Sequence, residues 1–101
     1  MHASAAIQVL PARVSNEEVC RIVDEVIAYI KSKGMKTFVA PFETTIEGDY
    51  DEIMEVIKEC QKVAIEAGAP EVSTYVKIDY NPHDEGILTI GEKTDKYVNA
   101  D

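Results

Sequence analysis

Pro41-Phe42-Glu43-Thr44-Thr45-Ile46-Glu47-Gly48-Asp49 packs a bend, a hydroxyl pair, a carboxylate and a helix start into one run. Thr37 to Phe42 and Thr44 to Glu47 are rich in β-branched and aromatic residues, so they predict two strands folded into a hairpin about Phe42 and Glu43. Gly48 breaks the second strand. Asp49-Tyr50-Asp51-Glu52 then has cap spacing, with the Asp49 carboxylate placed to accept from the Glu52 amide. A hairpin that served only the fold would need none of this polarity.

Downstream, Ile53, Val56, Ile57, Cys60, Ala64 and Ala67 recur at helical spacing as far as Gly68 and Pro70, which stop the helix. Val72, Thr74, Val76, Ile78 and Tyr80 alternate with Ser73, Tyr75, Lys77 and Asp79, a period of two that marks a half-buried strand ending at Asn81-Pro82. Upstream, Ala5 to Leu10 reads as a short apolar strand closed by Pro11. Ser15-Asn16-Glu17-Glu18 has the capping-box pattern, in which Ser15 accepts from the Glu18 amide and the Glu18 side chain reaches back. Val19, Ile22, Val23, Val26, Ile27 and Ile30 carry the apolar stripe of a helix from Asn16 to Lys33, with Gly34 as its left-handed stop. Thr89-Ile90-Gly91-Glu92 could cap a last short helix reaching Val98; Gly91 weakens that reading and leaves a swinging tail as the alternative.

Strand, helix, strand, strand, helix, strand is the α+β, ferredoxin-like βαββαβ order. Right-handed crossovers place both helices on one face of a four-stranded antiparallel sheet and leave the other face bare. One domain over 1–101 is expected, since a chain of this length buries roughly 60–70% of its unfolded surface in a single core. Ten basic residues against nineteen acidic ones give a net charge of −9, and no Lys/Arg stripe exists to track phosphates, so nucleic acid is not an expected partner. No stretch approaches the ~20 apolar residues of a membrane span, and the start lacks a signal pattern, so a cytoplasmic protein is expected. Cys20 and Cys60 lie in helical patterns and read as reduced, core-facing thiols.

The first and second strands of this topology run the same way, so the loop from Pro11 to Asn16 and the bend from Phe42 to Thr44 emerge at one end of the sheet. Ser15 and Asn16 offer hydrogen bonds beside the free amides of a helix start, and Phe42 offers a ring face. Thr45 and Glu47 lie on one side of their strand, Thr44 and Ile46 on the other. A buried Glu47 would need a cation or a donor. The candidate binding residues are thus Ser15, Asn16, Phe42, Thr44, Thr45 and Glu47; no catalytic or metal-binding set is expected.

The run Pro41 to Asp49, the helix end Gly68-Ala69-Pro70 and the strand Val76-Lys77-Ile78-Asp79 resemble the small thiamine-binding, or YkoF-like, protein family. The likeness extends from Ala5 to about Val98 and is densest in Pro-x-x-Thr-x-Ile-Glu-Gly, here Pro41, Thr44, Ile46, Glu47 and Gly48. It implies a ferredoxin-like fold, dimers or tetramers, and non-catalytic binding of thiamine or its hydroxymethylpyrimidine part, with no other cofactor. On that reading Thr44 and Glu47 orient the pyrimidine, Thr45 and Ser15 add hydrogen bonds, and Phe42 supplies a wall. Two positions depart from the family pattern: Glu43 where glycine is common, and Glu71 where arginine often follows the Gly-Ala pair.

Two other function classes stay open. A small hydrolase of the acylphosphatase type would want a phosphate-cradling loop with an arginine, and the only arginines are Arg13 and Arg21; His2 and His83 belong to no catalytic pattern. A regulatory or oligomerising module would use the bare sheet face, where Leu10 and Tyr75 project.

Overall fold

The strand that organises the molecule is the first, β1 (Ala3–Ala12), because it pairs along both edges. The computed structural model describes residues 1–98; the one-domain expectation for 1–101 therefore includes residues 99–101, which lie outside the described residues. After β1 come α1 (Asn16–Ser32), β2 (Lys36–Val39), β3 (Thr44–Gly48), α2 (Tyr50–Glu66), β4 (Glu71–Tyr80) and α3 (Ile90–Val98). The strands pair antiparallel in the order β2-β3-β1-β4, which is the ferredoxin-like α+β arrangement expected.

Side-chain alternation along β1 divides the sheet. Ala3, Ala5, Ile7 and Val9 are buried under α1 and α2 together with Ile22, Val26 and Ile30 of α1 and Ile53, Val56 and Cys60 of α2. Their partners across the ladders, Ile46 on β3 and Val76 on β4, face the same way. Ser4, Ala6, Gln8 and Leu10 look to the opposite face. Tyr50 at the start of α2 stacks on Tyr80 with centroids 4.4 Å apart and closes the core beside the end of β4.

The caps form with one change. Ser15 Oγ accepts from Glu18 N at 3.2 Å and Asp49 Oδ2 from Glu52 N at 3.1 Å. The Glu18 carboxylate turns to Arg21 at 2.6 Å, because a guanidinium offers a charge-assisted fork where the Ser15 amide offers one neutral donor. The same Arg21 Nη2 donates to Ala67 O at 2.6 Å and ties the start of α1 to the end of α2. The complete reciprocal box is at α3, where Glu92 N donates to Thr89 Oγ1 at 3.1 Å and Thr89 N to Glu92 Oε1 at 3.0 Å. The helical alternative for Thr89 to Val98 is the one realised.

Several features differ from the sequence reading, beginning with β1, which starts at Ala3 rather than Ala5. Pro11 does not close β1: the strand continues to Ala12 opposite Glu71, because proline's missing N–H falls on the edge that β4 does not use. β2 starts at Lys36 and stops at Val39, leaving Ala40 to Glu43 as the bend, closed by Ala40 N donating to Glu43 O at 3.0 Å. Cys20 is exposed, on the flank of the α1 stripe, whereas Cys60 is buried. The second sheet face is only partly bare, since α3 lies across one end of it.

Ile46, fully buried on an interior strand, should be among the costliest single truncations. Replacing Ile46 with Ala is expected to destabilise the fold by roughly 2–5 kcal/mol. The check is urea unfolding followed by circular dichroism, with an unchanged denaturant slope.

Candidate functional site

Two concave sites flank β3, one on each face of the sheet. On the helix face, β1 outruns β3: its pairing with β3 ends at Ile7 and Thr44, while its pairing with β4 continues to Ala12. The gap so created is a groove of about 350 Å³, with the second half of β1 as floor, Val19, Val23 and Asp24 of α1 as one wall, and the bend with Phe42, Glu43 and Thr44 as the other. Thr44 is buried, and Phe42 is 80% exposed. An isolated phenyl ring held in water by a tight bend gains nothing from burial until a ligand or partner covers it.

On the opposite face a cleft of about 290 Å³ lies between the sheet and α3, with Ala6 and Thr45 in its floor, Phe38 at its side, and Lys77, Asp79 and Lys93 among its charged residues. Glu47 sits under the start of α3. It is 5% exposed, and its Oε2 accepts from Ile90 N at 2.7 Å. Ile90 is the first residue of α3, so the buried carboxylate meets both a donor and the positive end of a helix dipole. That supplies the donor a buried Glu47 requires.

The six residues singled out in the sequence are therefore dispersed. Phe42 and Thr44 share the α1 groove, and Thr45 lines the α3 cleft. Thr44 and Glu47 open on opposite faces, so no single small molecule spans them. Ser15 caps α1 and Asn16 begins it, and both are exposed and line neither cavity. Asp24 and Cys20 of α1 do line the groove and escaped the sequence reading. Their signal was present but weak: Cys20, Val23, Asp24 and Ile27 are the i, i+3, i+4 and i+7 positions of one edge of the helix stripe.

The charges divide between the faces. Glu43 bridges over to Lys77 at 3.0 Å, and Lys93 lies 3.9 Å from Asp79, so the α3 side is nearly balanced. Asp24 leaves the rim of the α1 groove acidic, and Glu43 stands on that rim with its carboxylate turned to Lys77. Arg13 and Glu71, 3.4 Å apart, are exposed and line neither cavity. Burial pushes the Cys60 thiol up to about 12. Among the described residues no three His, Cys, Asp or Glu side chains gather as a metal site, and no helix is long and apolar enough to cross a membrane.

Comparison with known proteins places this geometry. The model of a family described as thiamine-binding protein matches residues 5–98. The chain belongs to that family. It is 43% identical over 94 residues to the UPF0045 protein CPE1503 of Clostridium perfringens, a match covering 93% of this chain and 95% of the relative. Among solved structures it resembles SP2199 of Streptococcus pneumoniae, with TM-score 0.80 and 41% identity over 95% of this chain and all (100%) of that one. It also resembles TM0486 of Thermotoga maritima, a candidate thiamine biosynthesis/salvage protein, with TM-score 0.82 and 37% identity over 96% of this chain and 99% of that one. Membership in this family gives the protein a thiamine-related role.

Two outcomes follow from the site geometry. Glu47→Ala should strand the Ile90 amide and release α3, costing roughly 1–3 kcal/mol, whereas Glu47→Gln keeps an acceptor and loses less; faster amide exchange over Ile90 to Thr94 is the readout. In the folded protein at pH 8, iodoacetamide should label Cys20 and spare Cys60, since burial holds Cys60 in the unreactive thiol form. Peptide mass spectrometry with and without denaturant reads the difference.

Proposed function

We infer that this protein binds thiamine or its hydroxymethylpyrimidine part without chemical turnover, as a carrier, scavenger or sensor, in the groove between α1 and the β2-β3 bend. The observation that carries this reading is the groove's composition. An apolar floor and a water-exposed Phe42 suit a flat ring, and the carboxylates of Asp24 and Glu43 suit the permanent positive charge of a thiazolium. The volume lies at the small end of the range for ligand pockets, roughly 300–1,000 Å³, as a vitamin-sized ligand requires. Family membership supports the ligand class, and the net charge of −9 favours the approach of a cation.

The Pro41-x-x-Thr44 half of the sequence motif builds this groove, and the Ile46-Glu47-Gly48 half builds the core and the seat of α3. Glu47 therefore acts on the ligand through the fold. Phe42, Thr44, Glu43 and Asp24 are the residues assigned to contact it.

The balanced face carries a second element of the proposal, assembly with further copies of the chain in the cytoplasm. Lys77 and Lys93 oppose Glu43 and Asp79 around a surface where Leu10 and Tyr75 are exposed. A two-fold axis can satisfy such a self-complementary mixture, whereas two uniformly acidic faces would repel.

Calorimetric titration with thiamine and with hydroxymethylpyrimidine tests the binding reading. Saturable binding is expected. Phe42→Ala should weaken it by ~0.5–2 kcal/mol through loss of ring and cation contact. Glu43→Gln should weaken thiamine more than the uncharged pyrimidine. No heat with either compound, on folded protein, would defeat the proposal. Native mass spectrometry of the same sample, with Tyr75→Lys expected to lower the assembly state, tests the second element.

A further inference from the structure

On the sheet face that carries α3, side chains from the four strands stand in rows. One row runs Phe38, Thr45, Ala6, Lys77, each residue in register with the next. Ala6 has the smallest side chain of the four and leaves a dip between Thr45 and Lys77. Toward the start of β1 stands the next row, with Glu47, Ser4 and Asp79, and α3 lies over it with the Ile90 amide bonded to Glu47. Dip and helix together make the cleft of about 290 Å³.

Two ammonium groups stand at opposite corners of the dip. Lys77 belongs to β4, yet its Nζ lies 3.0 Å from the Glu43 carboxylate at the approach to β3, so its side chain passes over β1. Lys93 descends from α3 on the β4 side, where its Nζ is 3.9 Å from Asp79 Oδ2. Both lysines are exposed, so each pair is weak and its carboxylate is a replaceable partner. Of the three hydroxyls in the cleft, Ser4 donates to Ile46 O and Thr94 to Ile90 O, which leaves Thr45 as the uncommitted donor among the described residues. Charges nearly cancel around the cleft, so the net −9 of the chain sets up little local repulsion there.

The helix above the dip is fastened at one end. Ile87 and Ile90 are buried, and Ile87 N donates to Met1 O at 2.9 Å, whereas Lys93, Asp95, Lys96 and Tyr97 are exposed. A helix of nine residues is marginal without packing, so the far half of α3 can tilt toward the sheet or away from it.

We propose that this cleft is a second binding site, for a small organic oxyanion: a carboxylate or phosphate monoester carried on a flat apolar body. The oxyanion lies between Lys77 and Lys93 and accepts from Thr45, taking the place of Glu43 and Asp79 as their partner. The apolar body rests on Ala6 between Phe38 and Ile90, and α3 closes over it through Lys93. This site takes the charge opposite to that suited by the α1 groove, and it stands independently of the thiamine reading.

The test is NMR titration of the full isotopically labelled chain with phenyl phosphate, with benzoate, and with benzyl alcohol as the uncharged control. An oxyanion should shift the amides of Ala6, Thr45 and Lys93 saturably and slow exchange over Lys93 to Tyr97, while benzyl alcohol leaves them unmoved. Lys93→Gln should weaken the bound anion by about three- to tenfold, and Asp79→Asn, which removes the competing carboxylate, should tighten it. Both positions are exposed, so the circular dichroism of the variants should match that of the wild type. Binding of phenyl phosphate alone supports the proposal and assigns the site to phosphate esters; binding of benzoate alone supports it and assigns the site to carboxylates. Equal response to benzyl alcohol, anion binding indifferent to Lys93→Gln, or silence at Ala6 and Thr45 with both anions overturns it.

Discussion

Because a strand places successive side chains on opposite faces and successive backbone groups on opposite edges, the ten residues of β1 impose two alternations on the molecule at once. The odd-numbered side chains build the core under α1 and α2; the even-numbered ones, Ser4 and Ala6 among them, are small enough for α3 to settle on the far face. The same parity sends even backbone groups to β4 and odd ones to β3. Both cavities descend from this single strand. The α3 cleft exists because the even side chains are short, and the α1 groove exists because β3 is shorter than β4.

The density of the Pro41–Asp49 run follows from the position of β3 between these cavities. Each residue answers to a different neighbour: Thr44 to the groove, Thr45 to the α3 cleft, Ile46 to the core, Glu47 to the first amide of α3. Gly48 answers to Met35, whose Sδ would stand 3.3 Å from any Cβ placed there, and Asp49 caps α2. Polarity that exceeds the needs of a hairpin is thus spent mostly on architecture. Glu47 illustrates this most sharply, because a buried carboxylate is tolerated only where a fixed donor meets it, and here the donor is the start of a helix.

The helices α1 and α2 and strand β4 were legible in the sequence because their signals are local: caps, stripes, and an alternation over nine residues; α3 was legible only as one of two alternatives, since Gly91 counts against its cap. The end of β1 was not, since proline is disqualifying only if its nitrogen faces a partner, and which edge faces a partner is a property of the sheet. Cys20 was misplaced for a related reason. A stripe of branched residues tells which side of α1 is apolar, but the width of the covered strip depends on how far β3 extends beneath it. Among the site residues, the opposite facing of Thr44 and Glu47 was readable from parity, while the covering of Glu47 by α3 required the tertiary fold.

Charge separates the two faces as cleanly as parity does. The chain carries −9 overall, yet around the α3 cleft cations and carboxylates nearly cancel, so the acidic excess is concentrated elsewhere, including Asp24 on the groove rim. Such a division lowers the electrostatic cost of a cation at the acidic rim and of a like-charged surface at the balanced face. Glu43 stands at the boundary, lining the groove while bonded to Lys77 on the other face, so a cation in the groove competes with Lys77 for the same carboxylate. Glu43 is thus a charge that touches both faces. The two faces, otherwise sealed from each other by the sheet, therefore share one side chain.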